Sequence, residues 1–168
     1  MTLDDASRDA THRPEDARMP QFQNDPTLPA PLFPGSHMVI DDDFVFLSGL
    51  TAEDIQGGET VIGDMGEETR LVMRRVQRML GSIGCEMTDV VRVDVHITDL
   101  DLIREMDAAY AEFFDACRYP ARTCTQSPRL YGGAHVEITV MARRPAERQA
   151  EGPVEEGATG DANDGASE

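Results

Sequence analysis

Two hydrophobic periods alternate along the middle of this 168-residue chain and predict its elements. Residues 37–40 and 44–47 are short apolar runs separated by three aspartates, which is typical of a hairpin with a solvated acidic turn. Apolar residues recur at helical spacing over residues 64–84 and again over residues 101–117. Residues 91–98 alternate between apolar and polar side chains, as expected of a half-buried strand. The apolar face of that strand is predicted to carry Val91, Val93, Val95 and Ile97.

Residues 119–142 contain two further predicted strands, joined by a turn at the glycine pair 132–133. Alternation places three residues of the first strand on one face: Arg122, Cys124 and Gln126. It divides the second strand into an apolar face and a polar face: Val136, Ile138 and Val140 against His135, Glu137 and Thr139. Arg122 and Glu137 on rigid strands could form a site for a small charged molecule. An exposed ion pair is the alternative, and the pattern leaves both open.

The element order β-β-α-β-α-β-β predicts an α+β fold, a two-layer sandwich with two helices on one face of a mixed sheet. The uncovered face would carry a row of semi-polar residues: Arg92, Asp94, His96 and Thr98. Such a face is suited to burial against another copy of the chain, so we expect a homo-oligomer. His96 is interpreted as lining this interface or a solvated face, with a catalytic function as the alternative.

Composition divides the chain into three parts. Residues 1–30 combine four prolines with charged residues and few large apolar side chains, which predicts a disordered extension. Residues 31–144 form the predicted α+β domain. Residues 145–168 hold seven acids and one arginine, and we expect an acidic disordered tail.

Charge and cysteine content narrow the class of protein. The chain has 32 acidic residues against 15 basic ones, all arginine, and its net charge of -17 opposes binding to nucleic acid. Three cysteines without paired spacing predict neither disulfides nor a zinc site, and they fit a reducing cytoplasm. No signal peptide and no apolar segment of about 20 residues is apparent, so neither export nor membrane insertion is expected.

Five sequence blocks carry a family resemblance. They are Phe44-Val-Phe-Leu-Ser48-Gly49, Val91-Arg-Val-Asp-Val-His-Ile-Thr-Asp-Leu100, Tyr110-Ala-Glu-Phe-Phe114, Tyr119-Pro-Ala-Arg122-Thr-Cys124 and Val136-Glu137-Ile138. Together, over about residues 36–144, they resemble the Rid family, also called YjgF, the reactive-intermediate deaminases. The resemblance implies a chorismate-mutase-like fold and a homotrimer with clefts between subunits. It also implies hydrolysis of 2-imino or 2-enamino acids to 2-oxo acids and ammonium, without a metal or organic cofactor.

The resemblance also assigns the site. Arg122 would hold the substrate carboxylate through two parallel hydrogen bonds, and Glu137 would position or activate water. Ser48, Gly49, Cys124 and Phe33 would line the cleft and contact the substrate. Partners would be a small imino or 2-oxo acid and further copies of the chain.

Three positions depart from the family pattern. Gly35 lies where a tyrosine is common, Leu50 where glutamine is common, and Asp107 where asparagine is frequent. These departures leave the substrate range open. A regulatory module that binds a small carboxylate without turnover is the alternative function, and a ribonuclease or translation inhibitor is a third, which the negative charge opposes.

Overall fold

The computed structural model describes residues 19–145. The disorder predicted for residues 1–18 and for the tail from residue 146 lies outside these described residues. The described chain folds into one sheet and two helices, and this confirms the predicted α+β class.

The sheet has six strands in the order β1-β2-β3-β6-β4-β5. Their bounds are β1 Gln21–Gln23, β2 Met38–Ile40, β3 Phe44–Thr51, β4 Val90–Ile97, β5 Ala121–Gln126 and β6 Val136–Arg143. Neighbouring strands are antiparallel except β4 and β5, which are parallel, so the sheet is mixed. The predicted hairpin around the three aspartates is confirmed as β2 and β3.

Two helices cover one face of the sheet. Helix α1 spans Met65–Ser82 and begins where the Asp64 side chain accepts a hydrogen bond from the Glu67 N–H at 2.9 Å. Helix α2 spans Ile103–Ala111 and is therefore shorter than predicted, because the chain after Ala111 continues as tight turns. No helix within residues 19–145 is both long enough and apolar enough to cross a membrane.

The core lies between the helices and the sheet. Val93, Val95 and Ile97 of β4 are fully buried, as predicted. Val91 is not, because an irregularity in the pairing of β4 with β6 between Val90 and Arg92 turns Val91 outward, where it is 37% exposed. Val90 is buried in its place.

Ordered structure begins before residue 31. Strand β1 pairs with β2, and Leu28 is buried in the core. The Arg75 guanidinium on α1 donates a hydrogen bond to the Thr27 hydroxyl, and the Asp25 carboxylate accepts from both the N–H and the hydroxyl of Thr27. Composition missed this segment because its strand is polar and pairs through its backbone.

The two strands predicted in residues 119–142 form, but they are not neighbours. Strand β4 lies between β5 and β6 and pairs with both. β5 is therefore an edge strand. This order decides where the candidate site residues lie relative to one another.

Candidate functional site

A cavity of about 610 Å³ opens at the end of β3. Its walls come from the loop before β2, from the second half of β3 and from the start of β6. The lining includes four of the predicted site residues: Phe33, Ser48, Gly49 and Glu137. The structure thus brings together residues that are up to 104 positions apart in the chain.

The Glu137 carboxylate lies directly against Gly49. A Cβ atom at position 49 would collide with the Glu137 carboxylate oxygen, so glycine provides the space that this side chain occupies. Alternation along β6 buries Val136 and Ile138 on the helix side and leaves Glu137 on the open face. No hydrogen bond or ion pair joins the Glu137 carboxylate to another residue of the described part of the chain.

Ser48 and Gly49 lie in a bulge of β3. The pairing of β3 with β6 shifts register between Leu47 and Leu50, so these two residues leave the regular ladder beside the cavity. The Ser48 hydroxyl donates to the Ser36 carbonyl at 2.7 Å, and its N–H donates to the His37 carbonyl at 3.0 Å. Ser48 therefore ties β3 to the loop that forms the opposite wall, and its hydroxyl proton is already used.

Phe33 supplies the aromatic wall near Gly35. Its ring lies so close to Gly35 that a Cβ atom at that position would collide with it. A tyrosine at position 35 is thus incompatible with this placement of Phe33. The absence of a side chain at Gly35 is therefore what allows the Phe33 ring to lie in this position.

Arg122 lies outside this cavity, on the helix side of β5. It is paired in register with the buried Val93, and its guanidinium lies 5.0 Å from the centre of the Tyr110 ring on α2. Arg122 Nη1 lies 2.7 Å from Oδ1 of Asp107, also on α2. The ion pair that the pattern left open exists, but its acid is Asp107 and not Glu137.

Two weak acids adjoin Arg122. Burial raises the pKa of Cys124, an effect that Arg122 opposes and Asp107 reinforces. Burial also raises the pKa of Tyr110 to about 12, and its buried hydroxyl has no hydrogen-bond partner within residues 19–145. Both groups are therefore neutral at neutral pH.

His96 is the register partner of Glu137 across β4 and β6. The two side chains share the open face, and His96 Nδ1 lies 2.6 Å from the Thr125 hydroxyl on β5. A polar row thus crosses the open face from β6 to β5. Its neighbours Arg92 and Asp94 form a further ion pair at 2.8 Å on the same face.

Sequence reasoning missed two residues of these sites. Asp107 was noted only as a departure, although it stands one helical turn before Tyr110 and so shares its face. Tyr131 lines the cavity and is 67% exposed, and its position directly before the glycine pair indicates only a turn. Within residues 19–145 no group of three or more His, Cys, Asp or Glu side chains is arranged to hold a metal ion.

Comparison with known proteins identifies the class to which this fold belongs. The family model described as endoribonuclease L-PSP matches residues 27–144. A RutC family protein of Pyrococcus horikoshii is 32% identical over 114 residues, which cover 68% of this chain and 90% of the relative. The human 2-iminobutanoate/2-iminopropanoate deaminase is 28% identical over 114 residues, covering 68% of this chain and 82% of the enzyme.

A solved structure agrees with these sequence matches. Escherichia coli TdcF with bound serine is 28% identical, with a TM-score of 0.67, over 74% of this chain and 99% of TdcF. The small α+β domain with two helices over a mixed sheet is the class that these proteins share. The chain belongs to the endoribonuclease L-PSP family, which is the Rid or YjgF family.

Proposed function

We propose that this protein hydrolyses reactive 2-imino or 2-enamino acids to 2-oxo acids and ammonium. The observation that carries the proposal is the Glu137 carboxylate, which faces a cavity beside Gly49 without a partner among the described residues. A carboxylate in this position is available to bind water and accept its proton. The name of the human relative supports this choice of reaction.

The reaction has two steps. Water adds to the imine carbon and forms a C–O bond while the imine nitrogen takes up a proton. The resulting carbinolamine breaks its C–N bond, ammonia leaves and is protonated to ammonium, and the hydroxyl loses its proton to become the 2-oxo group. Glu137 would accept the proton of the attacking water and return it to the nitrogen. Positioning of water would supply most of the acceleration, because the imine carbon is already electrophilic.

Arg122 would bind the substrate carboxylate. A guanidinium presents donors in a planar fork that matches a carboxylate, and the Tyr110 ring supports it from one side. Arg122 and Glu137 lie on opposite faces of the sheet of one chain. We therefore infer that each cleft lies between two copies of the chain. One copy contributes Arg122 from its edge strand β5, and the neighbouring copy contributes Glu137.

Features of the open face support self-association, and the number of copies that we propose, three with three such clefts, follows from the family resemblance. The face carries the exposed apolar side chains Phe46 and Val91 next to the half-buried Asp94 and His96. Apolar groups mixed with ordered polar groups are typical of interfaces between subunits. In this proposal Cys124 lines the Arg122 side of the cleft, and the free thiols of Cys85, Cys117 and Cys124 fit a reducing cytoplasm.

The test measures 2-oxo acid release from imines generated in situ by an L-amino acid oxidase. Wild type should accelerate hydrolysis above the rate in buffer, and Arg122→Ala and Glu137→Gln should each abolish the acceleration while retaining the wild-type mass in light scattering. Absence of acceleration by wild type over several imino acids would refute the proposal. Calorimetric binding of 2-oxo acids without any turnover would instead favour the regulatory module.

The description of the family model raises ribonuclease activity as a competing function. The net charge of -17 opposes approach of a phosphate backbone, so we do not adopt it. Incubation of the protein with a labelled single-stranded RNA provides the direct comparison.

A further inference from the structure

Asp107 forms an ion pair with Arg122, the residue that would bind the substrate carboxylate in the proposed function. Its Oδ1 lies 2.7 Å from Arg122 Nη1, which is the distance of a charge-assisted contact. The contact is an ion pair at Nη1 alone, and Asp107 Oδ1 forms no hydrogen bond within residues 19–145. An incoming carboxylate meets a cation whose charge is partly neutralised.

The fold builds this contact into α2. Asp107 and Tyr110 are three positions apart and therefore project from the same side of the helix. The Tyr110 ring holds the guanidinium at 5.0 Å, and the fully buried Met106 fixes the turn from which Asp107 projects. The Arg122 side chain is only 25% exposed, whereas that of Asp107 is 44% exposed. The Asp107 Oδ1 atom in the contact is itself buried, so a ligand displaces the acid only by rotation of the Asp107 side chain toward solvent.

Asp107 should therefore affect the affinity of the site for anionic ligands but not for neutral ones. A substrate carboxylate and the Asp107 carboxylate are both anions that need the same guanidinium, so each lowers the occupancy of the other. A ligand of the same shape without a free carboxylate neither competes with Asp107 nor is repelled by it.

We propose that Asp107 is a specificity-determining residue that competes with the substrate carboxylate for Arg122 and weakens the preference of the site for 2-imino and 2-oxo acids. This inference rests on the proposed function, in which Arg122 binds that carboxylate. The size of the effect of Asp107 on carboxylate affinity follows from the partial exposure of the Arg122–Asp107 pair. A solvent-screened ion pair of this kind corresponds to a change in affinity of about fivefold.

The test uses two stable ligands that differ in charge alone, 2-oxobutanoate and the neutral 2-oxobutanamide. Their dissociation constants are measured by calorimetry for wild type, Asp107→Asn and Glu105→Gln. Glu105 is exposed on the same helix, and its substitution removes the same charge without touching the Arg122 pair. We expect Asp107→Asn to bind 2-oxobutanoate about fivefold more tightly, with 2-oxobutanamide unchanged and Glu105→Gln like wild type.

Several outcomes overturn the inference. Equal affinity of wild type and Asp107→Asn for 2-oxobutanoate would do so, and so would weaker binding by the variant, which would mean that Asp107 orients Arg122. An equal gain in Glu105→Gln would show an effect of net charge only. Failure of both proteins to bind 2-oxobutanoate also overturns it.

The hydrolysis assay on the same preparations separates this inference from the proposed function. If Asp107→Asn gains affinity for 2-oxobutanoate but no preparation accelerates imine hydrolysis, the proposed function fails and the inference stands. If hydrolysis proceeds and Asp107→Asn leaves both affinity and KM for the imino acid unchanged, the inference fails and the function stands. A lower KM with unchanged kcat in Asp107→Asn is the expected result, because the carboxylate is bound equally in the ground state and the transition state.

Discussion

Arg122 and Glu137 lie on opposite faces of one sheet, with strand β4 between the strands that carry them. Arg122 packs against Tyr110 on the helix side, whereas Glu137 faces the cavity on the open side. One small substrate cannot contact both side chains of the same chain. If both act on one molecule, they must come from two copies.

This arrangement predicts complementation between inactive variants. In the proposed homotrimer, Arg122→Ala and Glu137→Gln should each be inactive, but assemblies refolded from an equal mixture of the two should regain about a quarter of wild-type activity. The reason is that a cleft with an intact arginine from one copy and an intact glutamate from the next forms by chance in that proportion. Rates of 2-oxo acid release before and after mixing provide the measurement.

The matched control mixes Arg122→Ala with the double variant that also carries Glu137→Gln. No cleft in that mixture contains an arginine, so activity should stay at zero. No recovery in the complementing mixture would mean that each chain carries a complete site, and recovery in the control would mean that the gain on mixing does not depend on Arg122.

Glu68 connects helix α1 to the start of β6 and should be the most costly acid to remove. Its side chain is fully buried and accepts hydrogen bonds from the Gly63 N–H at 2.8 Å, the His135 N–H at 2.7 Å and the His135 ring at 2.9 Å. Glu68→Ala leaves these donors without an acceptor. We expect a loss of about 3 kcal/mol in the free energy of unfolding, measured by urea denaturation.

Glu67→Ala is the neighbouring control. The Glu67 side chain is half exposed, and within residues 19–145 its ion pair is with Arg70, so its removal should leave the free energy of unfolding nearly unchanged. Equal losses in the two variants would contradict a special contribution from the buried carboxylate.

Local signals predicted the elements of this fold because they act within a few residues. The helical period over residues 64–84 located α1, and the alternation of β4 and β6 showed which of their faces is buried. Alternation does not say which strand lies next to which. The glycine turn after β5 therefore suggested a direct connection to β6, although β4 separates them.

The candidate site was predicted as a set of residues but not as an arrangement. Family motifs pointed to Arg122, Glu137, Ser48 and Gly49, and the structure gathers the last three in one cavity. The contact between Arg122 and Asp107 joins a strand to a helix, and no local period reports such a contact. The exposure of Val91 depends on a strand irregularity that alternation cannot reveal.

Cys124 should be unreactive at neutral pH although it lies near Arg122. Burial raises its thiol pKa above the ordinary value, so the thiol remains protonated and the thiolate forms only at more alkaline pH. Cys124→Ser should retain imine hydrolysis within about twofold of wild type. Mass spectrometry after iodoacetamide treatment should find Cys124 modified more slowly at pH 7 than the exposed Cys117. Loss of activity in Cys124→Ser would instead indicate that the Cys124 thiol takes part in the reaction.

The contribution of Asp25 to the stability of the fold should be lost in acid. Asp25 lies just before residues 29–33, which line the cavity. Burial raises its pKa, but hydrogen bonds from Thr27 and the charges of Arg75 and His37 outweigh burial, and the net shift is downward. A lowered folded-state pKa contributes stability above the unfolded-state value near 3.8, and this contribution is lost as the pH falls through the folded-state value. The difference in unfolding free energy between wild type and Asp25→Asn should therefore be constant near pH 7 and shrink below about pH 4. A difference that does not change with pH would contradict this assignment.

Gly49 should be necessary for catalysis because of the space that it leaves. Its backbone does not require glycine, but a Cβ atom there would collide with the Glu137 carboxylate and displace it. Gly49→Ala should therefore lower kcat/KM by about 100-fold while the fold is retained, since misplacement of a catalytic group by about 1 Å has effects of this size. Gly81→Ala is the matched control, because a Cβ atom at this exposed position of α1 meets no other atom and alanine favours the helix. The control should keep full activity and unfold at a slightly higher temperature. Full activity of Gly49→Ala would contradict the proposal that Glu137 acts beside the reacting water.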